Sequence, residues 1–189
     1  ISLTVQKGEI AVFLGSSGVG KSTLLRILNN LETINSGTIS LNGTTLDLAT
    51  INTTHTVGMV FQHFNLFDHL TVEQNITLPL EKVLKKNTHD AQEIARHLLR
   101  RYGLLDKNDE PTSALDPVLT SYVANNIQEL ATDGYIVLVA THDTDLLIKL
   151  NCTIYLMHDG NIIETAKSQD LKNDPDNFPK IKKFIAGHE

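Results

Sequence analysis

A chain of 189 residues, 41% of them hydrophobic and 20% charged, has the length and balance of one globular domain, not of a disordered or fibrous chain. Its formal net charge of -6 argues against nucleic acid as the main partner, since binding along a phosphate backbone needs a basic surface; a small polyphosphate held by a few local groups stays open. A single cysteine, Cys152, excludes an internal disulfide and fits a reducing compartment; no apolar run approaches the roughly 20 residues of a spanning helix, and no signal peptide is visible.

The chain opens on Ile1, not Met, and residues 1–5 read as a strand already under way, so an upstream N-terminus is expected to be missing. Ile10-Ala11-Val12-Phe13-Leu14 is continuously apolar, the pattern of a parallel strand covered by helices on both faces. A helix is predicted from Ser22 to about Asn30, and Asn42-Gly43 marks a hairpin turn. Residues 57–61 form a weaker strand candidate because of Gly58. Ala91, Ile94, Ala95, Leu98, Leu99 and Tyr102 recur on one helical face, with Asp90 and Glu93 as its N-terminal cap. Leu119, Tyr122, Val123, Ile127 and Leu130 mark another helix, closed by Asp133-Gly134.

Residues 136–140 repeat the buried-strand pattern. Cys152 reads as a small apolar core residue beside a strand. Asp159-Gly160 is a second hairpin turn, Ser168-Gln169-Asp170-Leu171 is expected to cap a short helix, and residues 180–185 form another with Lys180, Lys182 and Lys183 on a solvated face. Alternating strands and helices with added hairpins predict a three-layer α/β fold with a mainly parallel central sheet and an antiparallel β element. Neither repeats nor a linker is present, so residues 1–189 read as one domain.

Gly15-Ser16-Ser17-Gly18-Val19-Gly20-Lys21-Ser22 follows the first strand and opens a helix, which Thr23 continues. This is GxxxxGKS in the context that gives it meaning, the P-loop. Glycines let successive backbone N–H groups turn toward phosphate oxygens, and the start of the helix adds its positive dipole end. Lys21 supplies an ammonium for the β- and γ-phosphates, and Ser22 a hydroxyl for Mg²⁺, which prefers hard oxygen donors.

Downstream, Asp109-Glu110-Pro111-Thr112-Ser113-Ala114-Leu115-Asp116-Pro117 resembles the end of Walker B joined to the D-loop of ABC-type ATPases. Gln62 and His142, each at the end of a predicted strand, stand in the order of that family's Q-loop glutamine and switch histidine. The resemblance implies an ABC ATPase fold of the P-loop NTPase type, with ATP and Mg²⁺ as its cofactors. It assigns Asp109 and Ser22 to the metal, Gln62 to the metal or the attacking water as a catalytic sensor of the γ-phosphate, Glu110 to that water as general base, and His142 to the γ-phosphate. Asp116 belongs at a dimer interface. His55, His63, His69, His89, His97, His158 and His188 lack ligand spacing and read as solvated surface residues, which speaks against a zinc site.

The segment Phe61-Gln62-His63-Phe64-Asn65-Leu66-Phe67-Asp68-His69-Leu70-Thr71-Val72 looks like the Q-loop region of ATPases that serve bacterial importers of polar amino acids. Lipoprotein and methionine systems share similar segments. The family has glutamine at His63 and proline at Asp68. In it, Phe64, Leu66, Phe67 and Leu70 help form a groove for a helix of the membrane subunit. The resemblance therefore implies a peripheral subunit on the cytoplasmic side of the inner membrane, bound to transmembrane permease subunits and forming a homodimer with ATP.

Two family features are absent from the sequence. No LSGGQ signature stands before Asp109, and Asp109 follows Asp106-Lys107-Asn108 where an apolar Walker B strand should lead in. Polar residues there cannot run through a parallel sheet without burying charge. Either mobile residues are left out near 107–109, or a real deletion has produced an ATP binder without turnover. A soluble module acting on a macromolecular assembly is a further alternative, disfavoured because such relatives carry two domains in tandem. The upstream aromatic that would stack on adenine is also not found.

Overall fold

A computed structural model describes residues 1–54, 56–60, 66–109, 120–142 and 144–187. Its elements run β1 (Ile10–Leu14), α1 (Lys21–Leu28), β2 (Ser40–Leu41), β3 (Thr44–Thr45), α2 (Ile51–Thr54), α3 (Val72–Lys82), α4 (Thr88–Arg101), α5 (Thr120–Thr132), β4 (Val137–Ala140), α6 (Thr144–Lys149), β5 (Thr153–His158), β6 (Asn161–Lys167), α7 (Ser168–Asn173) and α8 (Pro179–Ile185). The chain divides into two compact units, one formed by residues 1–59 with 118–189 and the other by residues 60–117.

In the first unit the sheet has the order β4-β1-β5-β6, with β4 and β5 both parallel to β1 and β6 antiparallel to β5. The central strand β1 is buried at every residue, as its unbroken apolar run requires. Alternation sorts its side chains between two clusters. Ile10, Val12 and Leu14 join Ile154 and Leu156 of β5 on the face packed by Ala124 and Ala131 of α5, Leu146 and Leu147 of α6, and Ile181 of α8. Ala11 and Phe13 join Tyr155 and Met157 on the other face, beside Leu24 and Leu25 of α1. Phe13 and Tyr155 are register partners whose rings stack with centroids 5.7 Å apart. Helices on both faces of a mainly parallel sheet make the three layers expected.

Both hairpins form where the turn dipeptides stand. Asn42 and Gly43 have φ 51° and 78°, Asp159 and Gly160 φ 46° and 72°, the pair of positive values that a two-residue type I′ turn needs. Several boundaries differ from expectation. Residues 1–6 are not a strand; Leu3 and Val5 only pack against the Phe13 cluster. Residues 57–60 form no strand either, and Val60 is 84% exposed. The first helix ends at Leu28, two residues early, because Asn30 turns to φ 52°. Ser168 is the first residue of α7, not its cap; its hydroxyl accepts from the Cys152 amide at 3.1 Å.

Cys152 is itself buried one residue before β5, and burial pushes its thiol up to about 11. On α8, Lys182 reaches Asp176 at the surface.

The second unit, within its described residues, is helical. Thr71 accepts from the Gln74 amide while Gln74 accepts from the Thr71 amide, a capping box that starts α3. The cap of α4 is Asn87, whose side chain accepts from the Asp90 amide at 2.9 Å. Asp90 was the expected cap, but the chain is already helical from Thr88, so Asp90 lies inside the first turn. Ala91, Ala95 and Leu99 form the buried stripe of α4, the spacing anticipated.

Candidate nucleotide site

The first strand delivers the glycine-rich loop to the end of the sheet. Leu14 pairs with Leu156, so Gly15 leaves the ladder beside Met157. A Cβ on Gly15 would stand 2.6 Å from the Met157 carbonyl oxygen, and its φ is 151°. Only glycine fits such a backbone-to-backbone approach. Gly18 at φ 85° and Gly20 at φ 99° give the loop its further left-handed turns.

Helix α1 then starts at Lys21 with Gly20 as N-cap, no capping side chain and no acidic residue in its first turn. Most helices satisfy their first N–H groups with a Ser, Thr, Asp or Asn cap. This one leaves them without such a cap and adds its positive dipole end, which is the physical description of an anion site. The Lys21 ammonium lies along the loop and donates to the carbonyls of Gly15 at 2.5 Å and Ser16 at 2.7 Å. Partial burial lowers its pKa from the usual lysine value. Ser22 and Thr23 are exposed on the first turn, where their hydroxyls are open to phosphate or to an ion bound on it. The residues Gly15, Ser16, Ser17, Gly18, Val19, Gly20, Lys21, Ser22 and Thr23 are thus brought together as one cradle.

His142 reaches the same end of the sheet. The parallel partner β4 pairs Ala140 with Phe13, and the Thr141 amide donates to the Phe13 carbonyl at 3.2 Å. One residue further, exposed His142 leaves the strand level with the start of the loop. Asp109 sits otherwise. It follows a single 3-10 turn, Leu105–Lys107, in the helical unit, and is exposed. Its neighbour Asn108 is bonded to Glu73 of α3: the Glu73 amide donates to the Asn108 carbonyl at 3.0 Å and the Asn108 amide to the Glu73 carboxylate at 3.4 Å. No described strand leads into Asp109. Gln62, Glu110 and Asp116 lie outside the described residues.

A cleft of about 510 Å³ separates residues 16–20 of the loop from residues 158–160 of the β5–β6 turn. Sequence reasoning treated His158 as a surface histidine. It is exposed, as are His69, His89 and His97, and it lines the cleft opposite the phosphate loop. The signal lay in Asp159-Gly160, which located the turn; the sequence did not say that β5 is the neighbour of β1.

A family model for ABC transporters matches residues 1–120. The glutamine transport ATP-binding protein GlnQ of Bacillus subtilis is 36% identical over 208 residues, covering 93% of this chain and 86% of the relative. The glutamate/aspartate import ATP-binding protein GltL of Escherichia coli K12 is 36% identical over 220 residues, covering 98% and 90%. Both alignments are longer than the 189 residues of the chain, so these relatives carry internal residues for which this chain has no counterpart. Among solved structures, the ATP-binding cassette MJ0796 bound to ADP and Pi superposes with a TM-score of 0.72 at 23% identity, covering 88% of each chain. CbiO1 from Clostridium perfringens does so with 0.74 at 21% identity, covering 98% of this chain and 90% of the other. With this fold, this loop and these relatives, the chain belongs to the ABC transporter ATP-binding family.

Proposed function

We propose that this chain is the ATP-binding and ATP-hydrolysing subunit of a bacterial importer for polar amino acids. The observation that carries the proposal is the uncapped helix α1, set behind a glycine loop at the end of the central strand, with Lys21 held inside that loop. The names of the relatives, which transport glutamine, glutamate and aspartate, supply the substrate class. Residues 1–189 then act as one nucleotide-binding domain containing both compact units.

The cradle fits a nucleoside triphosphate, since its donors are backbone N–H groups and one ammonium. Mg²⁺ would be held by the Ser22 hydroxyl, with phosphate oxygens and water completing its shell. Among the described residues no three His, Cys, Asp or Glu side chains converge on a metal. Asp109 and Gln62 are its further ligands in this reading. The ion would neutralise charge on the β- and γ-phosphates. Glu110 serves as general base for the attacking water, and His142 binds the γ-phosphate. Asp116 acts at the interface of a homodimer formed in the ATP-bound state.

Permease subunits dock near Gln62 on the cytoplasmic face of the inner membrane. Leu66 and Phe67, exposed at 44% and 50%, support a groove there. Asn75 holds this segment by accepting from the Phe67 amide at 2.8 Å and donating to its carbonyl at 3.1 Å.

A second reading, an ATP binder without turnover, is favoured by one observation. Asp109 leaves a helical turn and not a buried strand, in a chain shorter than its own alignments. Calorimetric ATP binding and phosphate release separate the two. Binding with turnover supports the importer ATPase; binding without turnover supports the second reading; a parent chain that binds no ATP overturns both.

A further inference from the structure

We propose that the first turn of α3 is a lever between the segment carrying Leu66 and Phe67 and the segment ending in Asp109, with Asn75 gripping the first and Glu73 the second. It rests on the reading of this chain as an importer ATPase, in which Leu66 and Phe67 meet a helix of a membrane subunit. Both segments belong to the helical unit of residues 60–117. Asn75 grips Phe67 as a neighbouring strand would. Its Oδ1 accepts from the Phe67 amide at 2.8 Å, and its Nδ2 donates to the Phe67 carbonyl at 3.1 Å. The same Nδ2 lies 3.3 Å from the Leu70 carbonyl and 3.0 Å from that of Thr71. One side chain thus closes the loop before α3, leaving the Phe67 ring exposed and edge-on to His69.

Two residues earlier, about 200° around the helix axis, Glu73 makes the second grip. The N–H groups of a first helical turn have no partner within the helix. The capping box takes that of Gln74. The Asn108 carbonyl takes that of Glu73 at 3.0 Å, and Asn108 Nδ2 donates back to the Glu73 carboxylate at 3.4 Å. Asp109 is the next residue. Behind the turn, inside α3, stands Pro79. It has no N–H for the Asn75 carbonyl four residues back, so α3 loses a bond that would tie this turn to the rest of the helix, at the usual point for a helix to bend. The place of the turn then depends on its two grips, one on each side. A helix that loads Leu66 and Phe67 thereby shifts the setting of Asp109, and Asp109 acts back on the docking segment through the same linkage.

The test is hydrogen exchange on the nucleotide-free parent chain and on its Asn75→Ala and Glu73→Pro variants, followed in residues 66–71, in residues 104–109 and in α4. Glu73→Pro removes both the amide and the carboxylate at a first-turn position, where proline is tolerated. Loss of one net hydrogen bond corresponds to about three- to tenfold faster exchange. Asn75→Ala is expected to show that change at residues 104–109 as well as at 66–71, and Glu73→Pro at 66–71 as well as at 104–109, with α4 at the parent rate. A change confined to the mutated side overturns the proposal. So does equal acceleration through α4, the sign of a helical unit that merely loosens. Where one variant does not fold, the other reads the same link from its own side. Failure of the underlying reading looks different: the parent chain then binds no ATP by calorimetry, whatever its exchange shows.

Discussion

The glycine loop and the segment around Asp109 carry motifs of similar strength, yet the fold treats them in opposite ways. At the loop, sequence and scaffold agree. A fully buried strand ends at Gly15, a neighbouring strand forces that position to be glycine, and a helix without a cap points its free N–H groups outward. At Asp109 the motif stands without its scaffold, since the preceding residues form a 3-10 turn tied to α3 through Asn108 and Glu73. A short motif states which groups a reaction needs; only a buried strand behind it fixes them to the geometry that chemistry requires. The contrast separates a binding motif whose scaffold is in place from a hydrolytic motif whose leading strand is not described.

The largest expected effect addresses that second region. Glu110→Gln should lower phosphate release about 10²- to 10⁴-fold, the usual contribution of a general base, and keep ATP affinity. Turnover equal to the parent would remove Glu110 from the mechanism. A parent with no turnover at all would sharpen the comparison, because the loop would then be the only working half.

Next comes Lys21→Ala, expected to weaken ATP binding about ten- to a hundredfold by removing a charge-assisted contact. An unchanged calorimetric affinity would break the assignment of the cradle. Gly15→Ala follows. Its Cβ would meet the Met157 carbonyl at 2.6 Å, so urea unfolding should show a loss of about 2–3 kcal/mol, together with weaker ATP binding.

A smaller effect should stay within the helical unit. Replacing Thr71 or Asn87 with Ala removes one N-cap each and should cost about 1 kcal/mol. Hydrogen exchange should speed up in α3 or α4 while ATP affinity holds; a large loss of affinity would mean that binding depends on the helical unit after all.

The smallest effect is set by pH. Burial raises the Cys152 thiol from 9.0 to about 11, so the folded state favours the protonated form. Its contribution to stability is complete below pH 9 and is lost as pH rises through about 11. Cys152→Ala should flatten the alkaline part of the stability curve. A parent and variant with parallel curves from pH 8 upward would show that the thiol is not buried as described.

Much of the first unit was legible in the sequence because its signals are local. The run from Ile10 to Leu14 matches β1 residue for residue, and the two Asx-Gly pairs fall at both hairpins. Helix α5 runs to Thr132 and Gly134 follows at φ 90°, the close anticipated from Asp133-Gly134. Misreadings fell where a local pattern competes with tertiary pairing. Residues 1–5 and 57–60 have strand-like composition, but a strand exists only where a neighbour completes its hydrogen bonds. Asp90 and Glu93 satisfied a capping pattern, yet Asn87 offered a better acceptor three residues earlier.

The order of atoms in the phosphate loop was determined by the sequence alone. Its glycines, lysine and serine act through backbone conformation and a helix start, and these depend on neighbours within a few residues. The sequence likewise determined that Asp109 lacks an apolar strand, because no run of residues before it could be buried. Tertiary structure decided which strands stand beside the loop. Only the parallel pairing of β1 with β4 and β5 brings His142 and His158 to the same end of the sheet, across separations of more than a hundred residues. Such pairings arise from the fit of whole apolar faces over α5, α6 and α8 on one side and α1 on the other. No single residue type encodes them, so His158 read as an ordinary surface histidine until the sheet placed it opposite the phosphate loop.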